Sequence, residues 1–400
     1  MLEYLALTII GCLMGVVTGL VPGVHVNTVC LLGLTLYPRL GVNVVEFSVI
    51  MISMSVTHTF LDFIPSIFIG VPEEGTALSV LPAHQLVMNG KALEAVKLTG
   101  YGSLMGLLFS VLMVIPALVI LPMAYEKTRN VIVYVVAASA LLLMLREKGV
   151  SGKVKSLIIF TAAGAMGAIV LNMKAISETH VLFPVFAGLF GLSNLVYSLR
   201  SRVNNIPQEK YVIVKTDRGM LSSGLLGSVG GMVVGLLPAM SPSQIGIIMS
   251  EIFGGSVQRF LVSVSAINTA DSIFSLVSLY SLGNPRNGVT VMMDKILEVG
   301  AHHFMMFTGV VCLTAPIALT AHTFIGRQAM RYFSRVDYSK VSAAIIIFIT
   351  LLAWVMEGGL GVFIMFLATA IGILPITAGV SRTHLMGVLI LPTILLYASI

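Results

Sequence analysis

Charge is what this chain has least of. Of its 400 residues only 10% are Asp, Glu, Lys or Arg, where soluble domains carry about 25%. With 57% hydrophobic residues and a mean hydropathy of +1.01, that scarcity excludes a water-soluble globule. Cysteine is nearly as scarce. Cys12, Cys30 and Cys312 all lie in apolar runs without paired spacing, which argues against a disulfide framework or a zinc site, and no H-E-x-x-H occurs. The first residues, Met1-Leu2-Glu3-Tyr4, lack the basic segment of a cleavable signal, so the first apolar run is expected to stay as a span.

What remains is apolar sequence in lengths suited to a hydrocarbon core about 30 Å thick. Candidate spans or broken spans are 4–37, 44–70, 99–122, 130–146, 156–171, 181–199, 220–250, 258–282, 300–326, 341–357, 360–374 and 383–399. The fold class is therefore an all-α, multi-pass protein of the cell membrane. The formal charge of +6 does not point to nucleic acid, because the basic residues sit in short loops beside spans. Arg146, Lys148, Lys153 and Lys155 form one cluster, Arg200, Arg202, Lys210, Lys215 and Arg218 a second, and Arg327, Arg331, Arg335 and Lys340 a third. The positive-inside rule places all three in the cytoplasm.

The chain also repeats itself. Gly11, Gly15, Gly19 and Pro22 return as Gly227, Gly231, Gly235 and Pro238, each displaced by 216, and Gly70, Pro72 and Gly75 return as Gly283, Pro285 and Gly288, each displaced by 213. The polar segment 200–218 divides a first transmembrane repeat, 1–199, from a second, 219–400. Counting spans from the basic clusters puts the Lys91–Lys97 loop inside and Lys295 with Glu298 outside. Matching points thus lie on opposite faces, as in inverted-topology repeats with Gly/Pro-broken helices and re-entrant segments. This count treats 130–146 as a true crossing.

Such breaks free helix-end N–H groups that attract anions. Candidate substrate-binding residues at the first break are Pro22, Gly23, His25, Asn27 and Thr28, and at the second Pro238, Ser241, Ser243 and Gln244. A single break would read more simply as a kink or a close helix contact, but recurrence in register favours a shared site. Pro72, Glu73 and Gly75, against Asn284, Pro285 and Arg286, are expected at two re-entrant tips, where the opposite charges form a gate pair or set the substrate's sign; the bland reading is exposed turns. Asp62 and Asp271, set at matching points with Thr57 and His58 or with Asn268 and Thr269, are buried carboxylates that must pair, face water or bind a cation. Two roles stay open for them: a coupling site for Na+ or H+, and a helix cap. An intramembrane metal enzyme built on His25, His58 and Asp62 is the rival from another class, and neither catalytic residues nor a bound cofactor are expected.

These motifs resemble the TctA family, the large membrane subunit of the tripartite tricarboxylate transporters. The likeness rests on the Gly-rich run into Pro22-Gly23, on Phe68-Ile69-Gly70-Val71-Pro72, on Thr76 to His84, on Asn89 to Ala95, on Gly235 to Pro238 and on Gly283-Asn284-Pro285. It departs from the family pattern at Val24-His25, Glu73 and Ala239-Met240-Ser241, as a shorter, divergent branch would. The resemblance implies a permease for a small organic anion, a di- or tricarboxylate, coupled to a cation. It also implies a small membrane subunit and an extracytoplasmic solute-binding protein as partners; a homodimer embedded in lipid is a further expectation. The alternative is a polyprenyl-phosphate transporter, a more distant likeness that shares Gly-rich breaks.

Overall fold

The computed structural model describes all residues except 1, 22–25, 38–40, 71–75, 78, 129–130, 174–177, 199–206, 215, 237–241, 243–244, 247, 250–255, 334–337 and 399–400. The described residues are mostly helical, without strands. In the first half they form α1 (Leu2–Leu20), α2 (Val26–Leu36), α3 (Val44–Leu61), α4 (Phe63–Phe68), α5 (Val80–Met88), α6 (Ala92–Leu112), α7 (Val114–Thr128), α8 (Ile132–Leu145), α9 (Gly149–Leu171) and α10 (Glu178–Phe186). A π-helical stretch, Ala187–Leu192, then leads into α11 (Ser193–Ser198). The second half contributes α12 (Arg218–Val234), α13 (Val257–Leu282), α14 (Gly288–Asp294), α15 (Ala301–Phe333), α16 (Tyr338–Ala378), a 3-10 turn at Arg382–Met386 and α17 (Gly387–Ala398).

Seven helical stretches among the described residues are long and apolar enough to cross a membrane. Their outward side chains are apolar: Ile115 is 78% and Val355 79% exposed, as lipid-facing positions are. Several span boundaries differ from those the sequence suggested. The 300–326 run extends to Phe333 because its basic end stays helical, and 341–357 with 360–374 make one element, α16, broken at Gly358 (φ 63°). The 130–146 run is the 14-residue α8, about 21 Å long at 1.5 Å per residue and so shorter than a full hydrocarbon core.

Glycine decides how the helices meet. A Cβ on Gly11 would strike Ile50 and Ser53, on Gly15 Met54 and Thr57, and on Gly19 Leu61 and the Asp62 backbone. Those steps let α1 lie parallel to α3 at backbone contact. The second half repeats the arrangement: Gly227 meets Ser263 and Ala266, Gly231 meets Ile267 and Ala270, and Gly235 meets Phe274. The stretch 4–37 holds two helices, α1 and α2, with α2 running back toward the start of α3, and residues 22–25 between them lie outside the described residues. Its return helix α2 brings Gly33 and Tyr37 onto Phe47 near the start of α3, where Tyr37 and Phe47 stack with centroids 4.9 Å apart.

Contacts between the halves fix their relative sense. Glu94, Gly102 and Gly106 of α6 meet Gln258, Val262 with Ser265, and Ala266 of α13 in ascending order, so those helices run parallel. Val96 and Gly100 meet Gly326 and His322 of α15 in descending order, so α6 and α15 run antiparallel. His322 beside the Phe60 backbone and Gly326 beside Ile64 align α15 with α3 and α4. Thus α3 and α13, each the partner of its half's glycine-stepped helix, point in opposite directions. The contacts are also reciprocal, α3 on α15 and α6 on α13.

The linker is docked. Gln208 accepts from the Ala92 N–H at 3.0 Å and donates to the Val87 carbonyl at 2.9 Å, the Glu209 N–H donates to the Gly90 carbonyl at 2.8 Å, and Lys97 Nζ reaches the Val212 carbonyl at 2.6 Å. The described linker residues and the N-cap and first turns of α6, which hold Lys91–Lys97 where the sequence reading expected a loop, therefore share one face of the molecule.

Candidate functional site

The sequence reading pointed to carboxylates on matching helices, and α3 and α13 bring most of those residues together at their crossing. Asp62 is 4% and Asn268 8% exposed, and Asn268 Nδ2 donates to Asp62 Oδ2 at 2.9 Å. Thr59 Oγ1 meets Thr269 Oγ1 at 3.2 Å, and His58 Nδ1 lies 3.2 Å from Thr18 Oγ1 on α1. Thr57 is fully buried on α3 against α1, beside Gly15 and Cys12. Polar side chains of α1, α3 and α13 thus meet within an otherwise apolar core, drawn from both halves of the chain.

The cap role weighed for Asp62 does not describe its side chain. Asp62 interrupts the helix between α3 and α4 with its backbone N–H bonded to the His58 carbonyl, yet its carboxylate makes no capping bond to α4. It accepts from the opposite half instead. A buried carboxylate bonded across to another helix is a group whose charge a cation or proton can balance.

The expectation that Asp62 and Asp271 stand at matching points requires correction. The glycine contacts set the register at 213: Gly15 faces the His58 backbone where Gly231 faces that of Asp271, and Gly19 faces Leu61 where Gly235 faces Phe274. Asp271 therefore occupies the position of His58, and Ser275 that of Asp62. Asp271 is half-buried and accepts from Ser275 Oγ at 3.3 Å. The physical reason is that backbone contact between helices fixes register, whereas similarity of side-chain type does not.

A second convergence involves α2. Asn27, at the start of α2, sits so close to Gly288 that a Cβ there would collide with its amide. Asn284, Pro285 and Arg286 precede that contact, with Asn284 Nδ2 donating to the Tyr125 hydroxyl at 3.0 Å and the Arg286 guanidinium 5.2 Å from the Tyr125 ring centroid. Thr28 lies on α2 beside Asn27. Pro22, Gly23, His25, Pro72, Glu73, Gly75, Pro238, Ser241, Ser243 and Gln244 lie outside the described residues. Among the described residues no group of three or more His, Cys, Asp or Glu is placed to hold a metal.

Sequence reasoning missed Tyr125, which carries no local signal and is recruited only by packing. It also missed a polar knot near the C-terminus. Arg382 Nη2 lies 2.9 Å from the Leu189 and Phe190 carbonyls and from Ser193 Oγ, covering backbone acceptors of the π-helical stretch. His384 Nε2 and the Ser381 N–H both reach Glu147 Oε1 at 2.8 Å. A signal for this was present: Ser177-Glu178-Thr179-His180 returns as Ser381-Arg382-Thr383-His384, displaced by 204.

No solved structure matches the chain. A protein of Methanocaldococcus jannaschii, named "Uncharacterized protein MJ1079", is 29% identical over 404 residues, which cover 97% of this chain and 98% of the relative. The likeness runs end to end, so both halves and the linker between them are shared. Residues 5–387 match the tripartite tricarboxylate transporter TctA family, and with paired glycine-stepped helices meeting at a buried polar junction, the chain belongs to that family.

Proposed function

We propose that this chain is a secondary active transporter that carries a small organic anion, a di- or tricarboxylate, across the cytoplasmic membrane together with Na+ or H+. The observation that carries this reading is the Asp62–Asn268 contact, a buried carboxylate bonded across the two halves. Nothing in folding alone calls for it, since a carboxylate in an apolar span costs at least about 2.5 kcal/mol at the helix centre. Opposed senses of α3 and α13, with reciprocal contacts between the halves, support inverted repeats 1–199 and 219–400, and such repeats place substrate and coupling ion at their junction. Asp62 with His58, Thr59, Asn268 and Thr269 would hold the cation, and the region of Asn27, Asn284 and Arg286 the anion. The family further suggests a small membrane subunit and an extracytoplasmic binding protein as partners.

Asp62→Asn tests the reading. In proteoliposomes carrying a Na+ or proton gradient, the variant is expected to lose ion-driven citrate uptake while retaining its melting temperature and its binding of citrate. Full ion-driven uptake by the variant would remove Asp62 from coupling, and loss of folded protein would assign it a structural role.

A further inference from the structure

Arg286 is a cation with an unused edge. Its Nε and Nη2 are both buried and have no hydrogen-bond partner among the described residues. On a guanidinium these two N–H groups lie side by side and form the fork that grips both oxygens of a carboxylate. Buried donors left without acceptors are costly, and most buried polar groups in folded proteins find a partner.

The surroundings hold that fork in place. The guanidinium stands over the Tyr125 ring at 5.2 Å, a cation–π contact that fixes its plane. Tyr125 is itself pinned, because its hydroxyl accepts from Asn284 Nδ2 at 3.0 Å. Gly283, at φ 58°, ends α13 and turns the chain so that Asn284 and Arg286 fold back toward α7. The 26 residues of α13, about 39 Å at 1.5 Å per residue, carry this turn away from the linker. The fork therefore lies on the side of the molecule opposite the linker, which is the outer side when the basic clusters face the cytoplasm.

We propose that the Nε/Nη2 edge of Arg286, backed by Tyr125 and flanked by Asn284, is a carboxylate-binding station on the face opposite the linker, where the transported anion is first held. The proposal rests on the anion-transport reading above and assigns its outer recognition step. One planar fork matches one planar carboxylate in shape and charge. A phosphate, with more oxygens and more charge, would call for further donors.

Binding to purified full-length protein in lipid nanodiscs, followed by calorimetry with citrate, succinate and inorganic phosphate as probes, is the test. Citrate or succinate should bind the wild type, and Arg286→Gln should weaken that binding about 10- to 100-fold. Arg286→Lys should weaken it nearly as much, because an ammonium restores the charge but not the fork. Melting temperatures close to wild type would separate lost recognition from lost structure, and Arg286→Lys keeps the test open should Arg286→Gln not fold. Four results would each overturn the proposal: wild-type affinity in Arg286→Gln, full rescue by Arg286→Lys, preference for phosphate over both carboxylates, or no binding of any probe by the wild type. The underlying transport reading fails separately, by absence of ion-driven uptake in the wild type.

Discussion

Asp62 and Asp217 show how differently one residue type behaves in the two environments of this protein. Asp62 is buried and accepts from the Asn268 amide of α13. Asp217 stands in water at the start of α12, where the Met220 N–H bonds its carboxylate at 2.7 Å and Arg259 lies 3.5 Å away. The Met220 N–H first, and Arg259 after it, hold the Asp217 carboxyl below the usual carboxylate range. A depressed folded value stabilises the protein above the unfolded value, about 3.9, and that contribution disappears as pH falls through the folded value. Asp217→Asn should therefore melt slightly below wild type at pH 7. The gap should close as the pH drops below the ordinary carboxylate range, and it should shrink in high salt because the pair is exposed. Thermal melts of the two proteins across pH check this, and a gap that widens in acid would contradict it.

Helix pairing here is set by the absence of side chains more than by their presence. Without water in the bilayer core, helices gain little from burying apolar surface against one another, and close backbone approach through small residues takes over. Gly106 shows the constraint: a Cβ there would press into the backbone of Ala266 on α13. Gly309 on α15 is the contrast, with nothing within 4 Å of the added atom. Gly106→Ala should accordingly cost about 1–3 kcal/mol through overpacking, whereas Gly309→Ala should be neutral or stabilising by up to about 1 kcal/mol through helix propensity. Unfolding in detergent with denaturant measures both. Equal effects would mean that α6 and α13 are not held at backbone contact.

On the scale of the whole molecule, the opposed senses of α3 and α13 make a prediction about faces. The linker and the start of α6, with Lys91 and Lys97, are bonded to one another, so they share a side whichever way the protein is inserted. The loop before α15, with Glu298, lies at the other end of the helix that runs antiparallel to α6. In a background lacking Cys12, Cys30 and Cys312, single cysteines at Asn89 and Tyr211 should react with an impermeant maleimide only from the cytoplasm, and one at Glu298 only from outside. Labelling of all three from one side would refute the inverted arrangement, and reversal of all three would refute the positive-inside assignment alone.

Composition alone determined that this is a multi-pass membrane protein of helices, because a hydrocarbon core demands long apolar runs and satisfied backbones whatever the tertiary fold. The glycine repeats were legible for the same reason: only the smallest residue permits backbone contact, so its period of four marks a helix face. The polar junction was half legible. Asp62, His58, Asn268 and Thr269 stood out as polar residues in apolar runs, but a sequence cannot say whether a carboxylate turns back to its own helix end or across to another segment. That choice was tertiary, as was the return of α2, the true register of Asp271 against His58, and the meeting of Tyr125 with Arg286. Each of these rests on contacts between segments far apart in the chain, where the energy lies in backbone fit between helices and leaves no local pattern to read.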